Sequence, residues 1–159
     1  MIRRSSTLLA LALAIALPFT ACSNNDSTAP VTDVDPTTLT YAASLGVDFS
    51  TMTKTADGLW MKDITVGSGA TTAAGKSVVV HYIGYFPNGT QFDTDGTAGA
   101  PFVVGQGTIT GFSEGVVGMK VGGTRLLVLP PSLAYGQAGN GPIPPNAVLV
   151  FRVTLVSTT

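Results

Sequence analysis

The sequence is poor in the groups from which most catalytic centres are built. Its 159 residues include one cysteine and one histidine, Cys22 and His81. A lone cysteine permits no disulfide within the chain. One histidine, one cysteine and scattered carboxylates make no cluster of metal ligands, and no motif calls for a cofactor. Charge is scarce as well, at 11% of residues. Arg3 and Arg4 sit at the extreme N-terminus, and the six remaining basic residues are outnumbered by nine acidic ones. Such a mildly acidic chain, without a basic stripe, is not built to bind nucleic acid. No internal repeat is present.

Two motifs invite a catalytic reading, and the rest of the chain rejects both. Gly111-Phe-Ser-Glu-Gly115 fits G-x-S-x-G, the nucleophile elbow of serine esterases. That fold needs a parallel sheet and a histidine that follows the serine. His81 precedes Ser113, no other histidine exists, and the chain is too short for the fold. Ser113 is therefore a polar residue in the first turn of a helix. Gly75-Lys-Ser77 ends like a phosphate-binding loop, but residue 70 is Ala where that motif needs Gly. It also leads into a strand instead of a helix.

The sequence does carry an export leader. Met1 to Arg4 is basic, and Thr7 to Phe19 is an apolar run of about 13 residues, too short for a comfortable membrane span. Ala21-Cys22 then resembles a bacterial lipobox, with Phe19 where that motif most often has Leu. The reading is a signal peptide over 1–21, a lipid on Cys22 and an exported lipoprotein of the cell envelope, facing the periplasm. Acylation also removes a thiol that would be a liability in an oxidising compartment. Ser23 is compatible with sorting to an outer membrane. Residues 22–54 are rich in Ser, Thr, Asp and Pro at their start and are expected to be a flexible tether. Residues 55–159 are enough for one compact domain.

Within that domain, Leu59 to Val66 alternates like a strand. Ser77 to Phe86 is β-branched and aromatic, with Val78, Val80, Tyr82 and Phe86 on one face and His81, Ile83 and Tyr85 on the other. Pro87-Asn88-Gly89 is a tight turn, so a hairpin returns through Thr90 to Asp93. Residues 93–100 read as a loop. Thr110 to Lys120 predicts the one helix, with Thr110 as N-cap and Phe112, Val116 and Met119 on its apolar face. Its glycines mean that it needs tertiary packing to persist. Thr124 to Leu129 is a strand stopped by Pro130-Pro131. Tyr135 to Pro145 is a loop, and Val148 to Val156 is a half-buried closing strand. The fold class is α+β, an antiparallel curled sheet around one short helix.

Tyr82, Phe92, Phe102, Phe112, Tyr135 and Phe151 are spread over these elements. By spacing alone they are either a core or the lining of a pocket. Val79-Val-His-Tyr82 with Gly84, Asn88-Gly89 and Phe92-Asp93 resembles the opening hairpin of FKBP-type peptidyl-prolyl isomerases. Gly111-Phe112, Glu114-Gly115, Met119, Val121 and Gly122 are similar to that family's helix and the turn after it. Ala134-Tyr135-Gly136, Ile143-Pro-Pro145 and Leu149-Val-Phe151 are similar to its last loop and strand. The resemblance runs from about Thr55 to Ser157.

The resemblance implies a site. Tyr82, Phe92 and Asp93 correspond to pocket residues of the hairpin, and Phe102 to a further wall residue. Ile109 corresponds to the residue whose backbone N–H meets a bound carbonyl. Phe112 corresponds to the floor, and Tyr135, Ile143 and Phe151 to the far wall. Tyr82, Asp93 and Tyr135 are the polar candidates for catalysis. The family usually has Trp where this chain has Phe112, and the stretch from Val103 to Thr110 is about three residues shorter than usual. Ala98 stands where some members have an arginine that pairs with the aspartate.

The implied partners are proline-containing unfolded or exported polypeptides, macrolide inhibitors, and a membrane reached through the lipid anchor. The protein is expected to be a monomer. The implied chemistry needs no nucleophile. An X–Pro bond rotates over roughly 18–20 kcal/mol, and the twisted imide has lost the resonance that polarises the planar one. A dry apolar pocket favours the twisted form, which is differential binding. A thousandfold acceleration takes only about 4 kcal/mol. Two other classes use the same residues: a non-catalytic FKBP-like module that holds chains, and a purely structural envelope lipoprotein.

Overall fold

The computed structural model describes residues 33–159. The leader, the lipobox and Cys22 lie outside the described residues.

Seven strands form one antiparallel sheet: β1 (Thr53–Lys54), β2 (Trp60–Thr65), β3 (Ser77–Tyr85), β4 (Gln91–Thr94), β5 (Ala100–Val103), β6 (Thr124–Leu129) and β7 (Leu149–Thr158). Their order is β1-β2-β6-β7-β3-β4, with β5 added to β3 beside β4. The sheet is curled and unclosed, and α1 (Thr110–Val116) packs on its inner face. The expected α+β architecture is what the chain adopts.

The alternation of the long strands decides this arrangement. Val78 and Val80 of β3, and Leu149, Phe151, Val153 and Leu155 of β7, all turn inward and are at most 4% exposed. Each such side chain contributes about 1.5–3 kcal/mol by leaving water. The β3–β4 hairpin closes where expected, with Gly89 at φ 87° and its N–H on the Phe86 carbonyl at 2.9 Å. β5 escapes a reading by pattern because Pro101 interrupts it, and proline is tolerated there only because this is an edge strand.

The helix is shorter than its periodicity predicts. Ile109, not Thr110, is the N-cap, and Thr110 is the first helical residue. Val117 leaves helical geometry and Gly118 follows at φ 75°. The Arg125 guanidinium stops the helix by donating to the carbonyls of Gly115 at 2.9 Å and Val117 at 3.0 Å. Asp63 accepts from the other side of that guanidinium at 2.7 and 3.1 Å. The two helix glycines have a packing role. A β-carbon at Gly115 would stand 2.4 Å from Leu127, and one at Gly111 2.8 Å from Leu129. Their absence lets α1 lie directly on β6.

Residues 33–54 differ from the expected tether. They form a strap of three single 3-10 turns, Pro36–Thr38, Ala43–Leu45 and Phe49–Thr51, across the outer face of the sheet, and end in β1. Leu45 and Met52 are buried there with Leu126, Val128, Val148 and Val150, and Tyr41, Phe49 and Trp60 stack edge to face beside them. The Ala42 N–H donates to the Pro87 carbonyl at 2.8 Å. The Asp33 carboxylate accepts from the Ser132 amide at 3.0 Å and from its hydroxyl at 2.5 Å. The physical reason is in β6 and β7. Leu126, Val128 and Val150 point outward, and an uncovered sheet would hold them in water. The start of β7 is therefore buried on both faces, and only its later part is half-buried.

Candidate active site

The aromatic residues divide the inner face of the sheet between core and cavity. A cavity of about 250 Å³ opens between β3, β5, the 107–109 loop, α1 and the loop after β6. Phe112, in the first turn of α1, is its floor and is 6% exposed. Its ring lies 5.2 Å from Phe151, 5.5 Å from Tyr82 and 5.6 Å from Phe102, centre to centre. The Phe151 and Tyr82 contacts are edge to face, the orientation that ring quadrupoles favour.

One edge of the cavity is polar. The Tyr82 hydroxyl donates to Asp93 Oδ2 at 2.8 Å, and Asp93 Oδ1 accepts the Thr94 amide at 2.8 Å. Burial, and then the bond to Asp93, push the Tyr82 phenol up to about 12. The phenol is thus a proton donor throughout the neutral range. Asp93 has no ion-pair partner among the described residues.

The opposite edge is the 103–110 segment, and Ser113 holds it. Its hydroxyl, 6% exposed as part of the helix, accepts the Gly105 amide at 3.2 Å and lies 2.5 Å from the Thr108 hydroxyl. The esterase-like serine is therefore a loop anchor. Ile109 enters the cavity wall from this loop, and its N–H has no acceptor among the described residues. Tyr135 closes the far side. Its loop is held by the Asn140–Ile143 pair of backbone bonds, each 2.9 Å, and by the Asn146 N–H on the Gly136 carbonyl at 2.8 Å.

Seven of the nine residues expected at the site line the cavity: Tyr82, Asp93, Phe102, Ile109, Phe112, Tyr135 and Phe151. Phe92 and Ile143 do not. Phe92 lies behind the wall, 5.6 Å from the Phe151 ring and 5.0 Å from Phe86, over Gly84. A β-carbon at Gly84 would come within 2.9 Å of both Phe92 and Phe151, so that glycine seats them. Ile143 is 6% exposed within the core and supports the wall from inside. Sequence reasoning passed over Ala100, Pro101 and Gly107, which also line the cavity and carry no side-chain chemistry to mark them; Thr108, tied to Ser113 through its hydroxyl, lines it beside Ile109. It also passed over Arg125, whose position in an apolar strand is the signal that could have found it.

The comparisons agree with this geometry. The family model for FKBP-type peptidyl-prolyl cis-trans isomerase matches residues 69–156. An FK506-binding protein of Streptomyces anulatus is 45% identical over 117 residues, covering 70% of this chain and 94% of that protein. FK506-binding protein 4 of Dictyostelium discoideum is 48% identical over 102 residues, covering 63% of this chain, which spans only 28% of that longer relative. Among solved structures, a peptidyl-prolyl cis-trans isomerase from Pseudomonas syringae superposes with a TM-score of 0.65 at 31% identity, covering 74% of this chain and 86% of the other. Fold, cavity and sequence similarity converge, and the chain belongs to the FKBP-type peptidyl-prolyl cis-trans isomerase family.

Proposed function

We propose that this protein accelerates cis–trans rotation about X–Pro bonds in exported polypeptides, working from a lipid anchor at Cys22 on the periplasmic side of the cell envelope. The observation that carries the catalytic part is the pairing of an aromatic enclosure with a polar edge. Phe102, Phe112 and Phe151 offer an apolar seat of a size suited to a proline ring. In this reading the Ile109 N–H and the Tyr135 hydroxyl hold the carbonyls flanking the bond. Tyr82, braced by Asp93, is the residue assigned to the rotating carbonyl. The seat excludes water and so favours the less polar, twisted imide over the planar one. No proton is transferred and no covalent bond is made.

Support for the exported setting is the leader and the lipobox-like Ala21-Cys22. Macrolide binding follows from the same aromatic seat and from the names that relatives carry. The test is the isomerisation rate of a short Ala-Leu-Pro-Phe-type peptide with increasing protein. A rate that rises in proportion to protein and collapses with a macrolide is the expected result. A flat rate from a folded sample would remove the enzyme and leave a holding module.

A further inference from the structure

β3 lies inside the sheet, yet one of its edges has a gap. On the side away from β7, β5 pairs with Ser77 to Val80 and β4 with Ile83 to Tyr85. Neither strand pairs with His81 or Tyr82. The last residue of β4, Thr94, and Asp95 directly after it fill the gap. Asp95 Oδ1 accepts the Tyr82 amide at 2.7 Å, and the Thr94 hydroxyl donates to the Tyr82 carbonyl at 3.0 Å. The second oxygen of Asp95 lies 2.6 Å from His81 Nδ1. Two residues earlier, Asp93 holds the Tyr82 hydroxyl. The end of β4 and the residue after it thus grip Tyr82 at its backbone and at the tip of its ring.

The gap makes the carboxylate costly and the histidine useful. The Asp95 side chain is 3% exposed, whereas His81 is 46% exposed. A shielded carboxylate is tolerated when it is paired and hydrogen-bonded. Burial pushes the Asp95 carboxyl up, but the bonds from His81 and the Tyr82 amide outweigh burial and hold it below the usual carboxylate range. His81 is open to solvent. From β7, the residues facing it are Thr154, directly opposite, and the exposed Arg152 one ladder step away. β5 presents no titratable group. On β4, the carboxylate of Asp93 is committed to Tyr82 on the other face. Asp95 is therefore the titratable group in contact with the ring among the described residues.

We propose that His81 and Asp95 are a positioning pair that holds Tyr82 against the cavity and tightens that hold when His81 is protonated. The functional consequence rests on the isomerase reading above. A neutral imidazole still donates from Nδ1, so loss of the proton weakens the bracket without breaking it. Histidine is the only side chain whose ordinary pKa lies between pH 5 and 8, and His81 is the only one in the sequence. The rotation itself moves no proton, so any pH step must come from the protein.

The experiment follows the Tyr82 amide and the His81 ring by NMR from pH 5 to 8.5, and in parallel measures kcat/KM on a peptide with no group titrating in that range. The samples are wild type, His81→Gln and Asp95→Asn. The amide is expected to shift with the ring in wild type and to stay put in both variants. The rate is expected to fall about two- to threefold from acid to alkaline pH, mostly in kcat. Both variants should be flat and no faster than wild type at its alkaline limit. An amide that ignores the ring overturns the pair, as does a step that persists in His81→Gln. If no peptide is turned over but the amide follows the ring, the pair stands and the isomerase reading falls.

Discussion

Replacing Leu45 by alanine asks whether the strap belongs to the fold. Leu45 is 4% exposed and sits with Met52, Leu126, Val128, Val148 and Val150, none more than 8% exposed. Truncating a leucine in such surroundings costs about 2–5 kcal/mol. The strap consists of short turns that can settle toward the sheet, so the lower end, about 2 kcal/mol, is expected. With a urea slope of about 1–3 kcal/mol per molar, the unfolding midpoint should fall by about 1 M. Leu39→Ala is the control. It is 37% exposed, and its effect should stay under about 0.5 kcal/mol. Isomerase activity should hold in both, because the strap and the cavity lie on opposite faces of the sheet. A Leu45→Ala protein with the wild-type midpoint would refute the reasoning and return residues 33–54 to the tether. A lower midpoint with a smaller slope would mean that the strap undocks before the sheet unfolds.

Ser113→Ala removes the acceptor of the Gly105 amide and the partner of Thr108. It should cost about 1–2 kcal/mol and raise KM more than it lowers kcat, since it frees the segment carrying Ile109; peptide kinetics and urea melts check both. Arg125→Met leaves the Gly115 and Val117 carbonyls without their donor and Asp63 unpaired. Asp63 is 41% exposed and can rehydrate, so about 2–3 kcal/mol is expected, read as a lower thermal midpoint. Tyr82 titrates near 12 when folded, raised by burial and then by Asp93, against about 10 when unfolded. Its contribution to stability is therefore complete below pH 10 and is lost between 10 and 12. Urea midpoints at pH 9 to 11 should decline less steeply in Tyr82→Phe than in wild type.

The long strands were legible because each alternates with a period of 2 that turns one set of side chains into the core. Ser77 to Tyr85 and Leu149 to Thr158 need only alternation to be placed. The strap was not legible in that way. Its apolar residues Val34, Tyr41, Leu45, Val47, Phe49 and Met52 follow neither a period of 2 nor one of 3.6, because single 3-10 turns set their direction. The clue lay elsewhere, in the unbroken apolar run Leu126 to Leu129, which makes sense only for a strand covered on both faces. At the site, the residues that touch the cavity were named through family likeness, and spacing alone left core and pocket undecided. Phe92 lies one packing distance behind Phe151 and Ile143 is buried in the core, a difference that linear order does not encode. Asp95 stayed invisible for a related reason. Its role depends on a missing rung between two other strands.

The hold of Asp33 on Ser132 ties residue 33 to the domain, three residues from Tyr135. Cys22 is eleven residues upstream of that point, and extended chain spans at most about 3.3–3.6 Å per residue, or about 40 Å in all. Were residues 33–54 slack, the same arithmetic from Thr55 would give about 115 Å. An acyl group on Cys22 would thus work a short leash, confining the pocket to a thin shell above the bilayer. Polypeptides emerging at that surface would meet it, and those deeper in the compartment would pass beyond its reach.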